Sequence, residues 1–149
     1  MKLKLLAISF FIINLMGCTT SSRVITSGSF EGLNNSGPEK GAIFVYRDSS
    51  FAGAANQYDV MLNGELVGSL PNGSFFSLDV DPGENKIEPK TLTSTGFGKG
   101  INVTVEKGKV YCLKLTLNFC LSCKSADINL AEQNQCESEI KSLSKVRLP

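Results

Sequence analysis

The feature that most constrains this chain is a series of short alternating runs, each closed by a turn pair. The clearest run is Val110 to Phe119. Tyr111, Leu113, Leu115, Leu117 and Phe119 share one face, while Cys112, Lys114, Thr116, Asn118 and Cys120 share the other. A period of two is the signature of a strand with one buried face. Tyr58-Asp59-Val60-Met61-Leu62 also alternates and stops at Asn63-Gly64, after which Glu65 to Leu70 returns. Both residues of that pair tolerate positive φ, as a two-residue type I′ hairpin requires. Ala42 to Arg47 is β-prone. Phe76, Leu78 and Val80 alternate between Pro71-Asn72-Gly73 and Asp81-Pro82-Gly83, and Ile101, Val103 and Val105 repeat the pattern. Lys86-Ile87-Glu88 runs into Pro89 and is expected at a sheet edge, since proline cannot donate to the ladder. Ala126 to Leu130 completes about eight short strands, the spacing of a compact antiparallel β-sandwich.

The C-terminal stretch Ala131 to Lys145 breaks the alternation. Cys136, Ile140 and Leu143 stand at i, i+4 and i+7, one stripe of a helix packed on the sheet. Glu132, Glu137 and Glu139 come early and Lys141 and Lys145 late, an order that suits a helix dipole. The expected fold is therefore mainly β, with a C-terminal helix.

The other end reads as an address. Met1-Lys2-Leu3-Lys4 is a short positive segment, and Leu5 to Leu15 is an apolar run too short to span a bilayer as a helix. It ends in Leu15-Met16-Gly17-Cys18, which resembles the lipobox of bacterial lipoproteins. The resemblance implies cleavage between Gly17 and Cys18, a thioether-linked diacylglycerol on Cys18, and an acyl chain on its new amino group. Two or more buried chains, at about 0.8 kcal/mol per methylene, make attachment durable. Thr19 is not Asp, and in a cell with two membranes the lipoprotein sorting pattern then implies the outer one. The expected organisation is a cleaved signal peptide over 1–17, a lipidated N-terminus and flexible tether over 18–40, and the β-domain over 41–149. Thr19 to Lys40 is small, polar and glycine-rich, a flexible spacer, with docking of Val24-Ile25 or Phe30 on the domain left open. With 15 Lys and Arg against 14 Asp and Glu, the net charge is +1. Loss of Lys2 and Lys4 leaves the domain close to neutral, without the basic field that nucleic-acid binding requires.

Ile43-Phe44-Val45-Tyr46-Arg47, Ser50-Phe51-Ala52-Gly53, Val60-Met61-Leu62-Asn63-Gly64 and the run Asn72 to Val80 with Pro82-Gly83 carry a second resemblance. Together they resemble a bacterial lipoprotein domain of unknown function, loosely similar to PEGA-type β-domains. The likeness spans about Gly41 to Val146. It implies a β-fold and an envelope location, and no activity.

With Cys18 lipidated, four of the five cysteines remain: Cys112, Cys120, Cys123 and Cys136. An exported domain meets an oxidising compartment, so two disulfides are expected. Cys112 and Cys120 on one strand stand ~26 Å apart, too far for a bridge. If Cys120-Leu121-Ser122-Cys123 turns a hairpin, Cys112 faces residue 131, about one helical turn before Cys136. Cys112–Cys136 with Cys120–Cys123 is favoured, and Cys112–Cys123 with Cys120–Cys136 stays open. Cys120 and Cys123 could instead form a redox pair or half of a zinc site. However, no helix N-terminus follows to activate a thiol, and Cys112 and Cys136 are isolated rather than paired.

The chain has no His, which removes the commonest general base and metal ligand and excludes His-dependent hydrolysis. Gly96-Phe97-Gly98-Lys99-Gly100 lacks phosphate-loop spacing, and Asp79, Asp81 and Glu84 lack a full calcium loop. No carboxylate pair is nominated for glycoside hydrolysis. Arg47 is expected in a cross-strand ion pair, with an acidic partner as its functional alternative. The expectation is a lipid-anchored envelope protein acting as a binding or structural module. No catalytic residue, metal or cofactor is assigned. The membrane is reached through Cys18, an envelope protein is the expected partner, and nucleic acid is not. The alternatives are a redox or metal-handling lipoprotein using Cys120 and Cys123, or an envelope hydrolase with an unrecognised carboxylate site.

Overall fold

The structure is a computed structural model and describes residues 28, 30–34, 37–91, 98–119 and 124–148. In chain order it contains β1 (Gly41–Arg47), β2 (Tyr58–Leu62), β3 (Glu65–Leu70), β4 (Ser74–Val80), β5 (Gly83–Thr91), β6 (Ile101–Val105), β7 (Val110–Phe119), β8 (Lys124–Ala131), α1 (Gln133–Ile140) and β9 (Ser144–Lys145). One sheet has the order β8-β7-β1-β4-β9 and the other β3-β2-β5-β6. The expected mainly-β, two-sheet architecture with a C-terminal helix is present, with nine strands among the described residues. Most pairings are antiparallel, but β1 runs parallel to β7 and β4 parallel to β9.

The alternation fixes which side chains meet between the sheets. Ile43 and Val45 of β1, Val60 of β2, Phe76 of β4, Ile87 of β5, Val103 and Val105 of β6, and Leu113 and Leu115 of β7 form one buried cluster. The five-stranded sheet carries a second apolar layer on its outer face. Ala42, Phe44 and Tyr46 of β1, Phe75 of β4 and Cys112 of β7 meet Cys136 and Ile140 of α1. All seven residues of β1 are therefore buried. An unbroken apolar strand suits a position covered on both faces and is typical of parallel pairing.

The hairpin Asn63-Gly64 forms as expected, with φ of 51° and 88°. The β7–β8 register is also as expected, with Cys112 opposite Ala131 and Phe119 opposite Lys124. Three expectations need correction. First, β5 is an inner strand. It pairs with β6 over Gly83 to Ile87 and with β2 over Ile87 to Thr91, so Pro89 has a described strand neighbour on one side alone. The proline sits at a local edge within an inner strand. Second, α1 stops at Ile140, and its first turn holds no acid and its last turn no base. The chain leaves the helix because β4 has an open edge. The Ser144 N–H donates to the Gly73 carbonyl and the Val146 N–H to that of Phe75. A backbone demand of this kind is invisible to side-chain periodicity. Third, the sheets are mixed rather than wholly antiparallel, because β1 and β4 each take a parallel neighbour. Phe30, one of the two docking points considered for the tether, does pack on the domain. The ring of Phe30 stands edge-on to Phe44 and Phe75, with centroids 6.4 and 6.0 Å away. Val24 and Ile25 lie outside the described residues. Among those residues no helix is long and apolar enough to cross a membrane.

Candidate polar site at the end of strand β1

Tyr46 and Arg47 end β1, and Asp48 follows it. Tyr46 faces outward beneath α1, where its hydroxyl donates to Glu139 Oε2 at 2.7 Å. Lys114 is the parallel cross-strand partner of Tyr46. Its ammonium lies 5.7 Å from the Tyr46 ring centroid and bridges Glu139, at 2.9 Å, and Asp48, at 2.6 Å. Gln135 donates to Glu139 Oε1 at 2.9 Å, one helical turn earlier. The disulfide explains how these groups meet. Cys112 and Cys136 are bonded, with Cα atoms 6.1 Å apart. Lys114 lies two residues beyond Cys112 on the same strand face, and Glu139 three beyond Cys136 on the same helix face.

Burial raises the Glu139 carboxyl, but hydrogen bonds from Gln135, Tyr46 and Lys114 and the Lys114 charge outweigh it and hold it below the ordinary carboxylate range. Burial likewise opposes the Lys114 charge, and Asp48 and Glu139 more than compensate, so its pKa rises. Burial, followed by donation to Glu139 and the charges of Glu139 and Asp48, pushes the Tyr46 phenol far up. At neutral pH Glu139 is thus a carboxylate, Lys114 an ammonium and Tyr46 a phenol. None is poised to exchange a proton, which suits holding or binding better than acid–base chemistry.

Arg47 turns the opposite way, 2% exposed, at the end of the inter-sheet core. Its guanidinium stacks over Tyr58 at 5.1 Å. One terminal nitrogen donates to the Asn56 carbonyl at 2.7 Å and the other to the Gly53 carbonyl at 2.8 Å. Its Nε has no hydrogen-bond partner among the described residues. Burial lowers its pKa, and Tyr58 partly offsets this. The expected cross-strand ion pair is not there, because the residue opposite Arg47 is Ser74, whose hydroxyl donates to the Pro71 carbonyl. Arg47 grips the loop between β1 and β2 instead.

Asp48 lines two cavities. The larger, about 730 Å³, is a cleft bounded by Asp48, Ser49, Asn72, Glu139, Ser142 and Ser144, with Gly73 and Leu143. The smaller, about 190 Å³, lies among Arg47, Ser50, Lys114, Thr116, Leu117 and Phe119. The cleft offers hydroxyls, an amide and two carboxylates, a lining for a polar or cationic group.

Of the residues singled out from the sequence, Cys112 and Cys136 are joined. Gly17, Cys18, Cys120 and Cys123 lie outside the described residues. Asp81 pairs with Lys40 at 3.2 Å on an exposed surface, and Asp79 and Glu84 are exposed. Among the described residues no group of three or more His, Cys, Asp or Glu is placed to hold a metal ion. Tyr46, Asp48, Lys114 and Glu139 were not singled out by the sequence. Extending the Cys112–Cys136 pairing along strand and helix was the available signal for Lys114 and Glu139.

The profile of a family described as "Protein of unknown function (DUF2846)" matches residues 38–126, more than half of the chain. No curated protein and no solved structure matches.

Proposed function

The chain belongs to the DUF2846 family, whose function is unknown, and we propose that it is a lipid-anchored envelope protein that binds a partner without catalysis. The observation that carries this is the Cys112–Cys136 disulfide between sheet and helix. Structural disulfides persist in oxidising compartments, the destination implied by the lipobox-like Leu15 to Cys18. Cys18 holds acyl chains, the residues after it span the gap to the domain, and the domain faces the periplasm from the outer membrane. The polar cleft at the end of β1 meets an envelope protein. Its two carboxylates, Asp48 and Glu139, are both paired with Lys114, and its serines have no histidine to activate them.

Two measurements test this. Fatty-acid labelling in cells is expected to vanish in Cys18→Ser, and persistent labelling refutes the anchor. Crosslinking in intact cells is expected to capture one identified envelope protein, with capture lost on Asp48→Asn. Reproducible substrate turnover by the purified protein refutes the non-catalytic reading. Bound zinc, or free thiols at Cys120 and Cys123 that cycle with a redox partner, would favour the metal or redox alternative.

A further inference from the structure

The loop from Ser49 to Gln57 reads Ser-Ser-Phe-Ala-Gly-Ala-Ala-Asn-Gln, nine residues without a charge. Phe51 is 101% exposed. A large apolar ring fully in water is common on a slack loop, but this loop is held. Arg47 bonds the Gly53 and Asn56 carbonyls, and the Ser50 N–H donates to Asn72 Oδ1 at 3.0 Å. The Ala54 N–H closes a turn on the Phe51 carbonyl itself, and the Asn56 N–H one on Gly53. Gly53 packs against Leu117 and Phe119 of β7, and Phe119 is itself 49% exposed. Because β1 pairs with β7 only as far as Tyr46 and Lys114, the rest of β7 overhangs this end of the sandwich. Phe51 and Phe119 are two aromatic rings presented from fixed backbone at that end.

The path of the N-terminal segment indicates what covers them. Phe30 packs at the level of Phe44 and Phe75, and Gly28 lies near the Lys145 side chain, which a Cβ at that position would approach to 3.7 Å. Lys145 pairs with Phe75, which pairs with Tyr46, the neighbour of Arg47. The chain therefore meets the domain near the end that carries Phe51. From Gly28 back to Cys18 is ten residues, which span at most ~36 Å when fully extended. The Asn63-Gly64 hairpin, at the other end of β2 from Tyr58, lies a strand length farther off.

We infer that the end of the sandwich bearing Phe51 and Phe119 docks on the lipid bilayer, with the Phe51 ring inserted at the interface. The inference rests on acylation of Cys18 as proposed above. The loop itself has no charge to desolvate, Asp48 beside it lines the cleft on the α1 side and is neutralised by Lys114, and an aromatic ring gains by leaving water at the interface. Docking would set the domain's orientation, with the Asn63-Gly64 hairpin facing away from the membrane.

The chain contains no Trp, so a single introduced Trp is an unambiguous reporter. The full-length acylated protein carrying Phe51→Trp is reconstituted in phosphatidylcholine and phosphatidylglycerol vesicles with brominated acyl chains. A Leu66→Trp protein, labelled at an exposed position beside the opposite hairpin, serves as the comparison. The expected result is blue-shifted, strongly quenched emission from position 51 and unshifted, unquenched emission from position 66. Protein that floats with the vesicles while position 51 stays unquenched overturns docking and leaves the anchor standing. Equal quenching at both positions overturns the orientation. Failure to float overturns the anchor and docking with it. A ring unquenched in vesicles but shielded in native membranes assigns the loop to a protein partner and refutes the lipid.

Discussion

The bridge between Cys112 and Cys136 should be worth several kcal/mol, and its size can be worked from its position. The two residues are 24 apart in the chain. Closing a loop of that length removes entropy from the unfolded chain equivalent to about 3.4 kcal/mol at 25 °C. The bridge ties α1 to the outer face of the five-stranded sheet, and α1 has only eight residues, too few to persist alone. Both cysteines are buried, so the linkage is protected from solvent once formed. The comparison is cleanest in a Cys120→Ser/Cys123→Ser background, where the described bridge alone can form. Urea denaturation of oxidised and reduced samples of that one protein should differ by about 3 kcal/mol, equivalent to roughly 10–15 °C in Tm for a domain of this size. A difference below about 1 kcal/mol would refute the argument, because it would mean that the helix holds its place by packing alone. A reduced sample that loses helix signal at low urea, before the sheets unfold, would show in addition that the outer layer is a separate cooperative unit.

Glu139→Gln should flatten the acid side of the stability profile. The Glu139 pKa is depressed in the folded state, so its contribution is present above the ordinary carboxylate value of about 4 and lost as pH falls through the folded value. Tm measured from pH 7 to pH 2 should therefore fall less steeply in the variant, and an unchanged slope would remove Glu139 from that role. Lys114→Met should raise the Glu139 pKa, read by carboxyl NMR titration, since burial would then act against fewer compensating donors. Arg47→Met should cost about 2–3 kcal/mol through two lost charged hydrogen bonds to loop carbonyls. It should also accelerate amide exchange at Ala54 and Asn56, and protection equal to the parent's would contradict the grip. Gly64→Ala should cost about 1–2 kcal/mol in a denaturation titration, because Gly64 holds φ at 88°.

What could be read from the sequence was what repeats. The faces of β7 follow from alternation, and the hairpin geometry that puts residue 131 opposite Cys112 also puts Cys136 within reach. What escaped depends on partners distant in sequence. Nothing in Ala42 to Arg47 names Val110 to Lys114 as a parallel neighbour, although burial of every residue in β1 is the matching pattern. Leu143 continues the helical stripe in sequence, and it does pack on the outer cluster, but from a turn. The helix ends where the open edge of β4 competes for the backbone. Pro89 forecast an edge correctly at the scale of one residue and wrongly at the scale of the strand.

The two cations at the end of β1 divide the labour of that region. Lys114 balances two carboxylates and thereby ties Asp48 and α1 to the sheet. Arg47 has no carboxylate in ion-pair range among the described residues and spends its donors on backbone carbonyls and its face on Tyr58. Buried charge here is used to hold backbone, a task for which a planar guanidinium is better shaped than an ammonium. Its consequence is outward. With the terminal nitrogens of Arg47 holding the loop carbonyls, the loop can dispense with charge and still keep one conformation, and the side chain it presents to the surroundings is Phe51. The rigidity of that loop and the exposure of its ring are therefore one feature, and Arg47 is the residue through which both can be tested. Arg47→Met should weaken lipid quenching of a Trp at position 51 without removing the protein from the vesicles. Undiminished quenching would mean that the ring inserts without needing the grip.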